Sequence, residues 1–387
     1  MPGSSVSARD LIARLIAFDT TSRESNLALI DFVRDYLDGW GVTSELYYDA
    51  ARRKADLFAT IGPGDRGGVA LSGHTDTVPV DGQAWDSDPF QVTSHDGRLY
   101  ARGACDMKGF IGVALSLVPA ALSAPLRTPL HFALSYDEEV GCIGVRDLLA
   151  GLGQRPVRPA ACIVGEPTLM IPVIAHKGKL TVRCEVHGYE AHSALTQDGV
   201  NAVEFASEIV VFVRNMARRL RESGPFDTGF TPPYTTLQVG TIRGGTAINI
   251  VPRESTFDLE IRAVPADDPH VILSEIREFA ATRLLPEMRA VSADAAIHFH
   301  VLNDTPGMSL PPDEPVVALA RTLSGSNQTG KVSYTAEAGL FQAAEIPAVI
   351  CGPGSIEQAH KPNEFISIDQ IAQCENFMQR LIGYLRS

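Results

Sequence analysis

Short apolar runs that each end in a loop of metal-ligand side chains, separated by helical repeats, constrain this chain more than any other feature. Gly68-Val69-Ala70-Leu71-Ser72 leads into Gly73-His74-Thr75-Asp76-Thr77-Val78-Pro79, and Leu130-His131-Phe132-Ala133-Leu134-Ser135 into Tyr136-Asp137-Glu138-Glu139. Ala160-Ala161-Cys162-Ile163-Val164 leads into Gly165-Glu166-Pro167-Thr168. Runs of this length read as buried strands, and so does Leu57 to Ile61. Leu11, Ile12, Leu15 and Ile16 repeat at helical spacing behind Ser7 and Asp10, which look like a capped start. Further helices are expected over 28–39 and over 109–118, the latter rich in small residues that favour close packing. This alternation implies an α/β fold, a mainly parallel sheet with helices on both faces and with its functional loops at the carboxyl ends of the strands.

The pattern changes near Lys177. Residues 179–187 alternate apolar and polar, 200–220 are helical in period, 235–241 and 247–261 read as strands, 270–285 as a helix and 295–301 as a strand. That β-α-β-β-α-β order is the ferredoxin-like split motif, an α+β domain of roughly 120 residues. The expected division is 1–176 with 304–387 for the first domain and 177–303 for the insert. The resumed part carries a helix around 316–323, a strand at 348–351 and a closing helix over 368–384.

A chain of 387 residues exceeds one ordinary core. Its formal charge of −13 disfavours nucleic acid and anionic membrane as partners. The six cysteines form no C-x-x-C pair, no apolar stretch is long enough to span a bilayer, and the first residues lack a basic-then-apolar leader. A reducing, cytoplasmic setting is therefore expected.

The strand-end loops carry the chemistry. His74, Asp106 in Ala101-Arg102-Gly103-Ala104-Cys105-Asp106-Met107-Lys108-Gly109, and Glu139 supply an imidazole and two carboxylates, the donor set of a two-zinc hydrolase, with Asp106 able to bridge. His74 and Asp76 form H-x-D, a spacing in which the carboxylate can fix the imidazole tautomer. Asp106 has a plain alternative as a helix cap, and Cys105 another as a thiolate ligand. Of the adjacent pair, one glutamate can bind metal while Glu138, with its pKa held up in a low-dielectric cleft, moves protons. Glu166 and His360 could equally be ordinary loop residues, and His192 a surface histidine. His95, His131, His270, His298 and His300 show no partner pattern and read as surface or core.

In order along the chain, SGHTDTVP, ARGACDMKG, the run from Asp137 to Gly144, GEPT, GGTAINIVP at 244–252 and CGPGSIEQAHKPNEF resemble the M20 family of di-zinc amidohydrolases and peptidases, over nearly the whole length. The resemblance implies a di-zinc catalytic domain and an inserted lid and dimerisation domain. It assigns His74 and Glu166 to one Zn²⁺, Glu139 and His360 to the other, and Asp106 to both, with Co²⁺ a possible substitute. Asp76 would orient His74, and Glu138 would serve as base toward water and then as acid toward the leaving amine. His192 would polarise the scissile carbonyl, in a homodimer that of the neighbouring subunit's site, while Asn249 and Arg262 would meet the substrate. The usual lid motif has Gly where this chain has Ala191. The segment 332–342, with Glu337, resembles the branch acting on N²-acetyl-L-ornithine, a small N-acyl amino acid, and an acid there would suit a cationic substrate end. Alternatives are succinyl-diaminopimelate or a dipeptide as substrate, and a binding protein of the same fold that has lost its metals.

Overall fold

The computed structural model describes residues 6–387. They form two compact units, residues 6–175 with Met308–Lys331 and Ala336–Ser387, and His176–Gly307 with Val332–Thr335. The insert therefore takes in the short return at 332–335, which the expected boundary of 177–303 omits. Among the described residues no helix is long and apolar enough to cross a membrane.

The larger unit is built on a nine-stranded sheet in the order Ser44–Tyr48, Ala55–Ile61, Leu130–Ser135, Val69–His74, Ala161–Pro167, Ala348–Gly352, Val173–His176 and Met308–Ser309, with Gly330–Val332 joined to Val173–His176. Its four central strands, from Leu130–Ser135 to Ala348–Gly352, are parallel, and antiparallel strands flank them. Val69–His74 and Leu130–Ser135 are buried along their whole length, which is why they read as continuous apolar runs.

Successive residues of Val69–His74 serve opposite faces. A side chain at Gly73 would meet Ile111 of the helix Lys108–Ser116, while the hydroxyl of Ser72 donates to Glu337 just before the helix Ala338–Ala343. The first helix, Ala8–Ile16, is capped as expected, with the Ser7 hydroxyl accepting from Asp10 N–H at 3.2 Å, and buries Leu11, Ile12, Leu15 and Ile16. It crosses Lys108–Ser116 where Gly112 leaves room: a β-carbon there would stand 2.5 Å from Ile12 Cγ1 and 2.9 Å from Ile12 N.

The inserted unit is a four-stranded antiparallel sheet, ordered Thr236–Gly244, Glu254–Ala263, Gly178–His187, Ala296–Thr305. The helices Ala202–Ser223 and Pro269–Phe279 bury their apolar faces with the inward residues Leu180, Val182, Cys184 and Val186. The strand expected from 247 begins only at Glu254, because Gly245 takes a positive φ of 76° and Pro252 has no N–H for a ladder. The second helix runs past 285 to Val291, through a wide turn at Ala280–Leu284. A small sheet of Phe365–Ser367, Arg98–Tyr100 and Thr93–His95 and the edge strand Ser44–Tyr48 escaped the sequence reading, since such short half-exposed strands leave little periodicity.

Gly112→Val should lower the unfolding midpoint by the equivalent of about 1–3 kcal/mol, since the helix crossing leaves no space for a side chain. Denaturant unfolding of the two proteins measures it, and an unchanged midpoint would mean that the crossing relaxes freely.

Candidate metal centre

Each expected ligand of the larger unit sits at or after the carboxyl end of a central strand or in the loop before Lys108–Ser116. His74 ends Val69–His74 and is buried. Its Nδ1–H donates to the main-chain carbonyl of Asp76 at 2.9 Å, which turns Nε2 toward Asp106 Oδ1 at 3.0 Å, with Glu166 Oε1 3.8 Å away. Asp106 is shared: its Oδ2 lies 3.2 Å from His360 Nε2, and that same nitrogen is 3.0 Å from Glu139 Oε2. His360 is held at φ 64°, a left-handed conformation that is rare outside glycine.

Two groups have ligand atoms mutually within 4.8 Å, His74 with Asp106 and Glu139, and His74 with Glu138 and Glu166. The electrostatics suit a cation. Burial, with the negative charge of Asp106, drives Glu166 well above the ordinary carboxylate range and raises Glu139 too. Burial pushes Glu138 up to about 8, Glu139 adding to it and His74 opposing. Burial disfavours charge on His74 and Asp106, yet contact with Asp106 holds the imidazole well above its usual range, and contact with His360 and His74 holds the carboxylate well below its own. Contact with Asp106 and Glu139 lifts His360 to about 10. Glu139 Oε1 is buried without a hydrogen-bond donor. An acceptor left over in a nest of acids and imidazoles fits divalent metal ions, which would replace the imidazole protons.

One expectation is refined, two alternatives fall away and one expectation is corrected. Asp76 orients His74 through its main-chain carbonyl, while its carboxylate Oδ1 stands 3.6 Å from Nδ1, beyond a hydrogen bond. The carboxylate accepts instead from the N–H groups of Glu138 at 3.0 Å and Glu139 at 3.3 Å and from the Ser22 hydroxyl at 2.7 Å, so it fixes the loop that presents both glutamates. Asp106 caps no helix, because Lys108–Ser116 starts behind Met107 without a side-chain cap, and the Cys105 thiol is turned away to the Ser355 carbonyl at 3.3 Å. Glu337, expected to face a substrate, is buried and accepts from the hydroxyls of Ser135 and Ser72.

Glu364, named only as part of a loop motif, builds the Asp106 loop. Its Oε1 accepts from Cys105 N–H at 2.8 Å and Asp106 N–H at 3.0 Å, and its Oε2 from Gly103 N–H at 3.2 Å and from the buried Arg102 guanidinium at 2.7 Å. An acid four residues beyond His360 and three from Lys361 gave no signal, because its partners lie 258 to 262 positions away.

On the inserted unit, His192 is exposed and its Nδ1 accepts from Ala194 N–H at 3.1 Å, which puts the proton of a neutral ring on Nε2. The loops of His192 and Asn249 are tied together, Ser193 N–H to Asn249 O at 3.1 Å and Val251 N–H to Ala191 O at 2.9 Å. Arg262 stands at the other end of the same sheet, paired with Lys179, eight residues beyond Glu254 and thus roughly 27 Å along the strand. Its Nε and Nη2 are engaged by Glu260 at 2.9 Å and 3.3 Å.

The sequence profile of peptidase family M20/M25/M40 matches residues 70–384. The chain belongs to this family. It is accordingly a metal-dependent hydrolase. The acetylornithine deacetylase of Myxococcus xanthus is 38% identical over 384 residues, with 97% of each chain covered. That of Pasteurella multocida (strain Pm70) is 33% identical over 362 residues, covering 93% of this chain and 91% of the relative. Among solved structures, the M20 family metallo-carboxypeptidase Sso-CP2 from Sulfolobus solfataricus has a TM-score of 0.75 at 18% identity, over 98% of this chain and 99% of that one. Aminopeptidase PepT from Bacillus cereus ATCC 10987 has a TM-score of 0.73, also at 18% identity, over 98% of each chain. The M20 fold is therefore common to all of them.

Removing Glu364 would strand a buried guanidinium and several N–H groups. Glu364→Ala should destabilise the M20 chain by about 3–5 kcal/mol, whereas Glu357→Ala, an exposed neighbour, should change little. Thermal unfolding of both variants checks this, and equal midpoints would deny Glu364 its structural part.

Proposed function

We propose that the chain hydrolyses the acetyl amide of N²-acetyl-L-ornithine to L-ornithine and acetate, a step toward arginine. The observation that carries the reaction is the Asp106 carboxylate, which presents one oxygen to His74 and the other to His360 with Glu138 beside them. The substrate rests on the two relatives named acetylornithine deacetylase, which match along almost their whole length.

The residues fit two Zn²⁺ ions, or Co²⁺ in their place, with His74 and Glu166 on one side, Glu139 and His360 on the other, and Asp106 shared. When bound, such ions polarise the amide carbonyl and make water a better nucleophile at neutral pH. Glu138 is anchored through its N–H to Asp76, so its carboxylate is fixed beside His74. In this reading it takes a proton from water as the C–O bond forms, and returns it to the ornithine nitrogen as the C–N bond breaks, leaving acetate and a free amine. His192, with its proton on Nε2, donates to the carbonyl oxygen as negative charge develops there. Asn249 adds a second polar contact, and Arg262 holds the α-carboxylate through the guanidinium edge that Glu260 leaves free.

One acetylated amino acid cannot touch both ends of the inserted sheet in a single chain, given the distance between the His192–Asn249 loops and Arg262. A homodimer formed through the inserted unit, in which His192 and Asn249 serve the other copy's site, resolves this. All the cysteines are free and buried, in keeping with a reducing, cytoplasmic compartment.

Glu138→Gln should keep its metal while losing at least about 10²–10⁴-fold in turnover, because the amide cannot accept the proton. His74→Ala and His360→Ala should each lower metal content, and His95→Ala should not. Metal analysis beside steady-state rates reads both, and a Glu138→Gln enzyme of near-normal rate would remove the base.

Substrate choice is tested by competing N²-acetyl-L-ornithine with succinyl-diaminopimelate. The acetyl compound should have the far higher kcat/KM, since a second carboxylate with no partner is expensive to bury. Arg262→Lys should weaken it further, because lysine cannot reproduce the fork. Preference for the succinyl compound would overturn the substrate while leaving the hydrolytic centre intact.

A further inference from the structure

The two imidazoles of the metal centre are held by different means. His74 is buried at the end of its strand, whereas His360 lies in a loop with 53% of its side chain accessible. Packing therefore does little to fix His360. Its backbone, at φ 64°, takes a conformation that a residue other than glycine keeps only where neighbours impose it.

One such neighbour is Gln83, 277 positions earlier, whose Nε2 donates to the His360 carbonyl at 3.1 Å. The amide cannot be turned the other way. Its Oε1 receives Arg102 Nη2 at 2.7 Å and Trp85 Nε1 at 3.1 Å, groups that only donate, so the NH₂ end is left to face a carbonyl, which only accepts. Arg102 donates in turn through Nη1 to Glu364 at 2.7 Å, and Glu364 accepts from Asp106 N–H at 3.0 Å. A continuous chain of hydrogen bonds thus runs from the backbone of His360 to that of Asp106, the carboxylate its ring meets at 3.2 Å. The segment beyond Gln83 is pinned as well. Asp86 and Asn363 exchange bonds of 3.0 Å and 2.8 Å, and Arg102 N–H donates to Pro89 O at 2.8 Å.

We infer that Gln83 is a positioning residue for the His360 side of the centre: it sets the His360 carbonyl, and so the loop, such that Nε2 meets both Asp106 and Glu139. This rests on the reading of His360 as a metal ligand. Support from behind a ligand acts by orientation, and its loss weakens metal binding by about 10–100-fold.

Titration of the metal-stripped, untagged enzyme with Zn²⁺ against a chelating indicator at neutral pH reads the two ions by affinity. Gln83→Glu keeps an acceptor for Arg102 and Trp85 but sets a carboxylate oxygen against the His360 carbonyl. The ion that His360→Ala loses should then bind about 10–100-fold less tightly in Gln83→Glu, and the other ion as in the wild type. Gln83→Met, which removes all three bonds, should weaken the same ion. The metal-free Gln83→Glu protein should unfold at the wild-type midpoint, and turnover lost at low Zn²⁺ should be recovered as Zn²⁺ is raised, neither of which a merely structural part would give. Wild-type affinity for both ions in the two Gln83 variants overturns the inference, as does equal weakening of both ions with a lowered midpoint. His360→Ala keeps the underlying reading apart: if it loses no ion, His360 is no ligand and the part given to Gln83 falls with it.

Discussion

The larger unit depends on the repulsion among carboxylates gathered at the ends of its central strands. Asp76, Asp106, Glu138, Glu139, Glu166 and Glu337 all come together there, most of them out of contact with bulk water. A buried charge without a partner is costly, and these acids lie too close to one another to ionise together without compensation. The nearby cations of the chain are directed elsewhere: Lys54 to Asp137, Arg102 to Glu364, and Lys108 to the Phe18 carbonyl. Among the described residues, the cationic side chains that meet the central acids are His74 and His360. The positive charge that such a cluster calls for is then that of metal ions, and the rest of the unit serves to hold the acids in place until it arrives.

That holding is done by backbone and by pairs remote in sequence. Asp76 receives the N–H groups of the Glu138–Glu139 turn, Glu364 receives those around Asp106, and Glu337 lies beneath, between the hydroxyls of two neighbouring strands. These supporting contacts of Asp76 and Glu337 were not legible in the sequence. An H-x-D triplet shows that a carboxylate is near His74 but not which way it turns, and nothing in the string reveals that Ser72 and Ser135 sit on adjacent parallel strands. Pairing of Ser72 with Ala133 and of His74 with Ser135 does reveal it, and that register exists only in the fold. His74, Asp106 and Glu139, by contrast, stood out because they lie in loops at or between strand ends, whereas Glu166 and His360 were singled out only by the family resemblance.

The fold was legible to the same degree and for the same reason. Fully buried parallel strands and amphipathic helices write their burial into the sequence, so the alternation of the larger unit and the split motif of the insert could be read. Edge strands, half exposed and as short as three residues, carry no such record. The return of 332–335 to the insert is likewise set by tertiary contacts, among them the Ser333 hydroxyl to Thr231 O at 2.7 Å.

The inserted sheet raises a separate constraint on how the reaction is assembled. Its strand 254–263 separates Arg262 from the His192–Asn249 loops by more than the length of an acetylated amino acid. The loop end also carries apolar side chains in water, with Ile248 fully exposed and Ile242 and Ile250 partly so. Within that loop Val251 is buried in its own chain but Ile248 is not, and a second copy laid against it would remove that surface from water. The placement of the polar groups and the exposure of the apolar ones thus both favour the homodimer proposed above, in which the loop of one copy would serve the site of the other.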